Sequence, residues 1–305
     1  MSLSCWESGA RSSYPLCVQA ASRDFLKLAP DVVGLESLGV AELEQLFESP
    51  PRTVTSSRAR RSGPHWIVPL PGTPDEDGIQ HEKPRGSGTG LLHLRRFPLA
   101  PLASLGARLT HPRSTSLAAR TWNLICHLQA HGIAAPQLVA LAERRRGFGV
   151  ESLVMTRELE GFVSAREFFR TQSKRSERRR AVHSLALACT QLWRSGTRLP
   201  ETGADNLLIQ RDDEDCVALK IVNLQSEQSV LKERGLARTR LPAIAFTNFD
   251  GGSIVRDVPT KDREHLLVRL SADLGESLTR RERLEWLARL GYTQTSAAAL
   301  AARCG

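Results

Sequence analysis

The stretch of residues 117–170 reads LAARTWNLICHLQAHGIAAPQLVALAERRRGFGVESLVMTRELEGFVSAREFFR. It predicts a helix over residues 114–131, because serine and threonine precede it as candidate caps and a glycine follows its end. The segments PQLVALAERR (136–145) and VESLVMTREL (150–159) then predict two strands around a glycine-containing turn. A helix followed by two strands is therefore the expected centre of the fold.

Strands are predicted on the N-terminal side of this centre and mainly helices on its C-terminal side. Residues 1–50 show no strand signal, and hydrophobic side chains at near-helical spacing from Leu35 to Leu46 predict a helical extension. Residues 54–97 predict strands joined by turns. The segments NLLIQ and CVALKIVNL predict a hairpin around the acidic turn RDDED. Further helices are predicted over residues 163–170, 176–193, 261–274 and 279–290. This order predicts an α+β fold with two lobes.

Composition excludes several classes of protein. The 305 residues are 41% hydrophobic and 25% charged, which is typical of a globular chain and not of a disordered one. No run approaches the roughly 18 apolar residues that cross a membrane, and the first residues lack the order of a secretion signal, so a cytoplasmic location is expected. The six cysteines are scattered without a CxxC pair, which argues against a disulfide framework and a zinc site. No metal ligands are assigned.

The charge balance is strongly basic, with a net charge of +9 and 36 arginines against 6 lysines. Arginine suits phosphate and carboxylate partners, but a surplus spread over the whole chain is also explained by codon bias. The densest cluster is SKRSERRR (173–180), where Arg178, Arg179 and Arg180 are candidate contacts for an anionic lipid or a phosphorylated glycan at the inner face of a membrane. Solvation beside Glu177 is the simpler alternative. Nucleic acid is disfavoured, because the alanine-rich end of the chain offers few polar side chains to read bases.

Several local sequences, in this order along the chain, resemble the lipopolysaccharide core kinases, the Kdo and heptose kinase family with a protein-kinase-like fold. The matching pieces are LHLRRF (92–97), LAARTWNLICHLQAHGIAAPQLVALAERR (117–145), SLVMTRELEGF (152–162), DNLLI (205–209), LKIVNLQ (219–225) and RLSADLGESLTRRERLEWLARLGY (269–292). The resemblance covers residues 35–292. It implies a small β-rich N-lobe over residues 51–157 and a mainly helical C-lobe over residues 158–305, preceded by the extension 1–50.

The resemblance also implies ATP-dependent phosphoryl transfer to a sugar hydroxyl. Such a site uses a strand lysine on the phosphates, a helix glutamate that orients it, an aspartate at the acceptor hydroxyl, and an asparagine and an aspartate at magnesium. The corresponding residues of this chain are, in the same order, Arg95, Thr121, Glu201, Asn206 and Asn223, with Leu199 in place of the catalytic-loop histidine. The resemblance therefore assigns Glu201 to the catalytic role and Arg95, Asn206 and Asn223 to cofactor binding.

Only Asn206 keeps the family residue, and the other replacements all weaken the chemistry. Arg95 stays cationic but presents a larger planar group, and Thr121 cannot form an ion pair with it. The extra methylene of Glu201 displaces its carboxylate by about 1 Å. Asn223 supplies no charge to magnesium, a cation that dehydrates reluctantly. ATP is thus the implied cofactor, and magnesium binding is disfavoured.

A shifted register is the alternative, since Asp205 lies beside Asn206 and Asp250 lies in NFDGG. Turn residues are the simpler interpretation of both aspartates. Three functions stay open: a catalytically impaired pseudokinase that acts in binding or regulation near envelope lipid or glycan synthesis, an active atypical kinase on a core sugar, and a basic membrane-surface or nucleic-acid-binding protein.

Overall fold

The fold consists of a β-rich lobe and a mainly helical lobe, as the order of predicted elements indicates. The computed structural model describes residues 17–19, 25–29, 47, 54–55, 65–69, 91–97, 116–146, 149–159, 161–211 and 241–293. Within these ranges, every strand of the largest sheet ends at or before residue 157. Of the five helices that span several described residues, one precedes residue 157 and four begin after it. The expectation of an α+β fold with a β-rich part and a mainly helical part is confirmed.

The N-lobe is built on an antiparallel sheet in the order β1-β2-β6-β7-β5-β4-β3. Its strands are β1 (Cys17–Gln19), β2 (Phe25–Leu28), β3 (Val54–Thr55), β4 (His65–Pro69), β5 (Leu91–Phe97), β6 (Gln137–Arg146) and β7 (Gly149–Arg157). Successive side chains of a strand point to opposite faces. Leu153 and Met155 accordingly pack with Leu92 and Leu94 on one face, whereas Val154 joins the core on the other. Both faces of the sheet are therefore covered.

The two N-terminal strands correct the expectation of a helical extension. Cys17–Gln19 pairs with Phe25–Leu28, and the latter pairs with β6 in the register Leu26 to Ala142. Leu26 and Leu28 are buried in the core on that face of the sheet. The absence of a strand signal in residues 1–50 was thus misleading for this part, while the predicted leucine helix falls outside the described residues.

The helix at the start of residues 117–170 packs on one face of this sheet. Helix α1 (Leu117–Ala130) begins at Ser116, whose side chain accepts a hydrogen bond from the backbone N–H of Ala119 at 3.0 Å. Its inner face contributes Trp122 and Leu128 to the core. The predicted helix is confirmed, with its start three residues later than the sequence indicated.

The C-lobe contains the remaining described helices, at the positions the sequence predicts. They are α2 (Ala165–Thr171), α3 (Arg175–Arg194), α4 (Thr260–Asp273) and α5 (Arg280–Arg289). Helix α5 opens with a capping box in which Thr279 and Glu282 exchange hydrogen bonds. Trp286 of α5 and Leu185 of α3 are fully buried in the core that also receives α1.

The described part of the C-lobe also contains five short strands. They are β8 (Phe162–Ser164), β9 (Thr197–Arg198), β10 (Leu207–Gln210), β11 (Ile244–Phe246) and β12 (Ser253–Ile254). β10 lies between β8 and β11, and β9 pairs with β12. The strand predicted at NLLIQ is present as β10, which pairs with β11 on one edge and with β8 on the other. The segment CVALKIVNL itself lies outside the described residues.

Candidate functional site

The two lobes are joined by an ion pair between Arg95 and Asp250. Arg95 lies on β5, the strand where the family resemblance places a lysine, and Asp250 lies in the loop that follows β11. The Arg95 side chain is 13% exposed and the Asp250 side chain 30%. The guanidinium also lies over the ring of Phe97, at 4.7 Å from its centroid. The cation expected to hold nucleotide phosphates thus has a carboxylate of the C-lobe as its partner.

Thr121 occupies the helix position where the family has a glutamate, and its hydroxyl serves its own helix. Its Oγ1 donates a hydrogen bond to the backbone oxygen of Leu117 at 3.0 Å, and the residue is buried. This local bond is a common arrangement for a threonine inside a helix. The carboxylate beside Arg95 therefore comes from Asp250 and not from α1.

Glu201 lies in the loop between β9 and β10, and its carboxylate is paired with Arg269. Arg269 on α4 donates from Nη1 to Glu201 Oε2 at 2.8 Å and to the backbone oxygen of Pro200 at 3.0 Å. The Glu201 side chain is half-exposed. An acceptor hydroxyl would compete with a guanidinium for this carboxylate.

The rest of this loop is fastened to α4 and to the residues after β11. The Asp273 carboxylate accepts a hydrogen bond from the backbone N–H of Ala204 at 3.1 Å, and a Cβ at Gly203 would run into that same carboxylate. The backbone oxygen of Asn206 accepts from both the N–H and the hydroxyl of Thr247 at 3.0 Å. The loop backbone is therefore held in place, with the Asn206 side chain half-buried beside it.

Asn248 ties the loop of Asp250 to the loop of Glu201 through both ends of its amide. Its Nδ2 donates to the backbone oxygen of Glu201 at 2.9 Å, and its Oδ1 accepts from the N–H of Asp250 at 3.1 Å. Sequence reasoning missed Asn248, although the apolar IAF followed by NFDGG marks a strand that ends in a polar loop. Asn223, assigned to cofactor binding from the sequence, lies outside the described residues.

A close apolar contact holds α1 against the loop of Asp250. A Cβ on Gly252 would lie 2.5 Å from Cδ2 of Leu124 and 3.0 Å from Cδ2 of Leu199. It would also lie 2.9 Å from the backbone oxygen of Phe249, so only glycine fits. Leu199, which replaces the family histidine, is buried in this contact. The structure thereby brings the loops of Glu201 and Asp250 together beneath α1.

Two oxygen-bearing side chains of this cleft that could approach a magnesium ion are engaged by the protein itself. Magnesium needs hard oxygen ligands with anionic charge. Asp250 supplies a carboxylate that is paired with Arg95, and the Asn248 amide is used at both ends to hold backbone. Within the described ranges, no three histidine, cysteine, aspartate or glutamate side chains are grouped so that they could hold a metal ion. Nucleotide phosphates would instead have Arg95 as a partner, once Asp250 releases it.

The predicted anion-binding cluster is divided by the structure. The side chain of Arg178 extends from α3 to α5. Its guanidinium donates to both carboxylate oxygens of Glu282 on α5, at 2.7 and 2.8 Å. It also donates to the backbone oxygens of Phe169, Gln172 and Ser277. Arg178 is therefore a packing residue and cannot serve as a lipid or glycan contact.

Arg179 and Arg180 make other contacts than Arg178. Arg179 is half-exposed and pairs with Glu285 at 3.4 Å, while Arg180 lines a separate pocket with Arg211. The three arginines do not form one continuous basic surface. Within the described part of the chain, every helix is too short or too polar to cross a membrane.

Part of the chain matches a known family model. Residues 106–240 match the model of the lipopolysaccharide kinase (Kdo/WaaP) family, and the resemblance seen in the sequence is confirmed. No curated protein is significantly similar in sequence to this chain. Among solved structures, WaaP in complex with acyl carrier protein is 18% identical, with a TM-score of 0.46 over 70% of this chain and 76% of that chain. A mutant of the Neurospora crassa PAN3 pseudokinase is 9% identical, with a TM-score of 0.35 over 84% of this chain and 55% of that chain.

Proposed function

We propose that this chain, whose residues 106–240 match the model of the lipopolysaccharide kinase (Kdo/WaaP) family, is a catalytically impaired kinase-like protein that acts by binding or regulation near envelope lipid or glycan synthesis. The observation that carries the proposal is the ion pair between Arg95 and Asp250. In this pair the candidate phosphate cation and the candidate metal carboxylate neutralise each other. We place the protein in the cytoplasm, at the inner face of the membrane.

Phosphoryl transfer depends on positioning and on charge that stabilises the transferred group. The carboxylate of Glu201, which would accept the proton of the acceptor hydroxyl, is held by Arg269 at 2.8 Å. The amide of Asn248 has no charge to offer a metal and is already used at both ends. Arg95 can hold phosphates, and Asn206 keeps the residue that the family has at this position. Nucleotide binding without efficient transfer is the activity that these residues support best.

An active atypical kinase is the second candidate, and a specific observation favours it. Asp250 is a carboxylate at the end of the strand that pairs with β10, close to the loop of Glu201 and Asn206. If ATP and magnesium displaced Arg95, Asp250 would become an anionic ligand next to Asn206. This arrangement would transfer phosphate from ATP to a Kdo or heptose hydroxyl, with Glu201 as the base.

A transfer assay separates the two candidates. Purified full-length protein is incubated with labelled ATP, magnesium and a lipopolysaccharide core acceptor that carries Kdo and heptose. We expect no transfer above the protein-free background, for the wild type and for Glu201→Gln. The matched control is Glu285→Gln, which also removes a carboxylate paired with arginine but lies on α5, outside the cleft. Transfer that is lost in Glu201→Gln and retained in Glu285→Gln would establish the active kinase.

A further inference from the structure

Two histidines that the proposed function does not use lie one turn apart at the C-terminal end of helix α1. His127 is in the last turn of the helix and is half-buried, and His131 follows the helix end and is exposed. Residues four apart lie on the same face of a helix. The centroids of the two rings are 4.2 Å apart, and the ring planes are inclined at 44°. The two imidazoles therefore form one cluster.

A backbone carbonyl fixes the tautomer of each ring. Nε2 of His127 lies 2.8 Å from the backbone oxygen of Ser195, and Nδ1 of His131 lies 2.9 Å from the backbone oxygen of His127. A carbonyl oxygen only accepts hydrogen bonds, so each of these ring nitrogens carries the hydrogen. In a neutral imidazole the other nitrogen then has a lone pair. These lone pairs lie on Nδ1 of His127 and on Nε2 of His131.

Both lone pairs are available to a ligand. Within the part of the chain that the structure describes, neither ring has a second hydrogen-bond partner. Histidines that bind metals almost always donate their other ring N–H to a carbonyl or a carboxylate, which orients the ring and makes the ligating nitrogen more basic. The carbonyl of Ser195, the residue that ends α3, holds His127 in this way. The cluster thus has the hydrogen bonds that support a metal site.

Geometry and charge both suit a divalent transition metal. Two nitrogens at about 2.0 to 2.1 Å from one tetrahedral zinc ion are roughly 3.4 Å apart, a separation that rings with centroids at 4.2 Å can supply. The C-terminus of a helix carries partial negative charge, which favours a cation beside its last turn.

We propose that Nδ1 of His127 and Nε2 of His131 bind zinc or another divalent transition metal that prefers imidazole ligands. Among the residues described, no third histidine, cysteine or carboxylate is grouped with these two. Water therefore completes the coordination of the ion. The site is distinct from the magnesium site of a kinase, since magnesium prefers oxygen ligands.

The proposal is tested by calorimetry on the untagged full-length protein, freed of metal with EDTA and titrated with zinc chloride. We expect saturable binding of one ion through these residues and no binding of magnesium at the same concentration. His127→Gln and His131→Gln should each weaken zinc binding by about tenfold or more, because loss of a mere outer-shell partner already costs about 10- to 100-fold. His183→Gln is the matched control, since His183 lies on α3 beside Arg289 and Glu285.

Histidine side-chain ¹⁵N spectra identify the atoms that bind. Zinc should shift Nδ1 of His127 and Nε2 of His131, and the two nitrogens that donate to carbonyls should keep their hydrogens. Because His131 is exposed, His131→Gln should retain the melting temperature of the wild type. That variant therefore decides the question even if His127→Gln, which loses the contact with Ser195, is less stable.

Several outcomes would overturn this assignment. They are the absence of saturable zinc binding, an unchanged affinity in His131→Gln, and an equal loss in His183→Gln. Cys126 is the neighbouring thiol on α1, and burial raises its pKa, which disfavours the thiolate that a metal needs. Cys126→Ser should therefore bind zinc like the wild type, and loss of binding in that variant would place the metal on sulfur.

Discussion

Replacement of Asp250 by asparagine is expected to make this protein bind ATP more tightly. In the wild type, Arg95 is paired with Asp250, so a nucleotide phosphate must compete with a carboxylate of the protein itself. Asparagine has nearly the same shape but no charge, so Asp250→Asn leaves the guanidinium in place and removes its competitor. The same variant would weaken ATP binding if Asp250 were a magnesium ligand. The two candidate functions thus predict effects of opposite sign.

The size of the effect follows from the burial of the pair. Exposed ion pairs contribute about 0.2 to 1 kcal/mol, and removal of one partner from a fully buried pair costs about 3 to 5 kcal/mol. With side-chain exposures of 13% for Arg95 and 30% for Asp250, this pair lies between those limits, at about 1 to 3 kcal/mol. At about 1.4 kcal/mol per factor of ten, the affinity for ATP should rise about 5- to 150-fold.

The assay is isothermal titration of the full-length protein with ATP in the presence and absence of magnesium. Without nucleotide, Asp250→Asn should lower the free energy of unfolding by a similar amount, and saturating ATP should restore part of it. Glu285→Gln is the matched control, because Glu285 pairs with Arg179 and Arg289 on α5, outside the cleft. Weaker binding of magnesium-ATP by Asp250→Asn, with no change in Glu285→Gln, would contradict this prediction.

Three further predictions concern the packing that positions the cleft. Arg178→Ala should lower the free energy of unfolding by about 3 to 5 kcal/mol, because it leaves the Glu282 carboxylate buried without its cation. Arg179→Ala should change the free energy of unfolding by less than about 1 kcal/mol. Chemical denaturation measures both values, and equal effects would contradict the buried role of Arg178. Burial alone would raise the pKa of Glu282, but hydrogen bonds from Arg178 and from its helix cap lower that pKa from 4.5 to about 2. The contribution of ionised Glu282 to the free energy of unfolding is therefore complete above pH 4.5 and is lost as the pH falls from 4.5 to 2. Glu282→Gln should remove this pH dependence from the free energy of unfolding, measured by denaturation at each pH. Gly252→Ala should lower both the melting temperature and the affinity for ATP, since its Cβ would lie 2.5 Å from a methyl group of Leu124; an unchanged melting temperature would contradict this close contact.

The helices could be predicted from the sequence because their signals are local. Residues 117–130 carry a cap, an apolar face and a terminating glycine, and each of these acts within a few residues of the helix. The strands Cys17–Gln19 and Phe25–Leu28 could not be predicted in the same way. They are three and four residues long, and the second gains its hydrogen bonds from β6, more than 100 residues further along the chain.

The site was predictable only in part, for a related reason. The family resemblance assigns Glu201 and Asn206 to the loop before β10, and these assignments stay predictions. The contacts of Asn248 depend on the pairing of β10 with β11, which lie more than 30 residues apart in the chain. The buried position of Arg178 could have been found, since helical spacing places it on the same face as Val182 and Leu185. The four other basic residues of the cluster favoured an exposed position for Arg178, but the helical periodicity was the better indicator of its burial.

The affinity of the wild-type protein for ATP, measured with EDTA and with excess magnesium, shows whether the cleft can hold the metal ion. We predict that the two dissociation constants agree within about a factor of three, because the Asp250 carboxylate is paired with Arg95 and the Asn248 amide holds backbone. Binding that is tenfold or more tighter with magnesium would contradict it and would mean that Asp250 releases Arg95 to serve as a metal ligand.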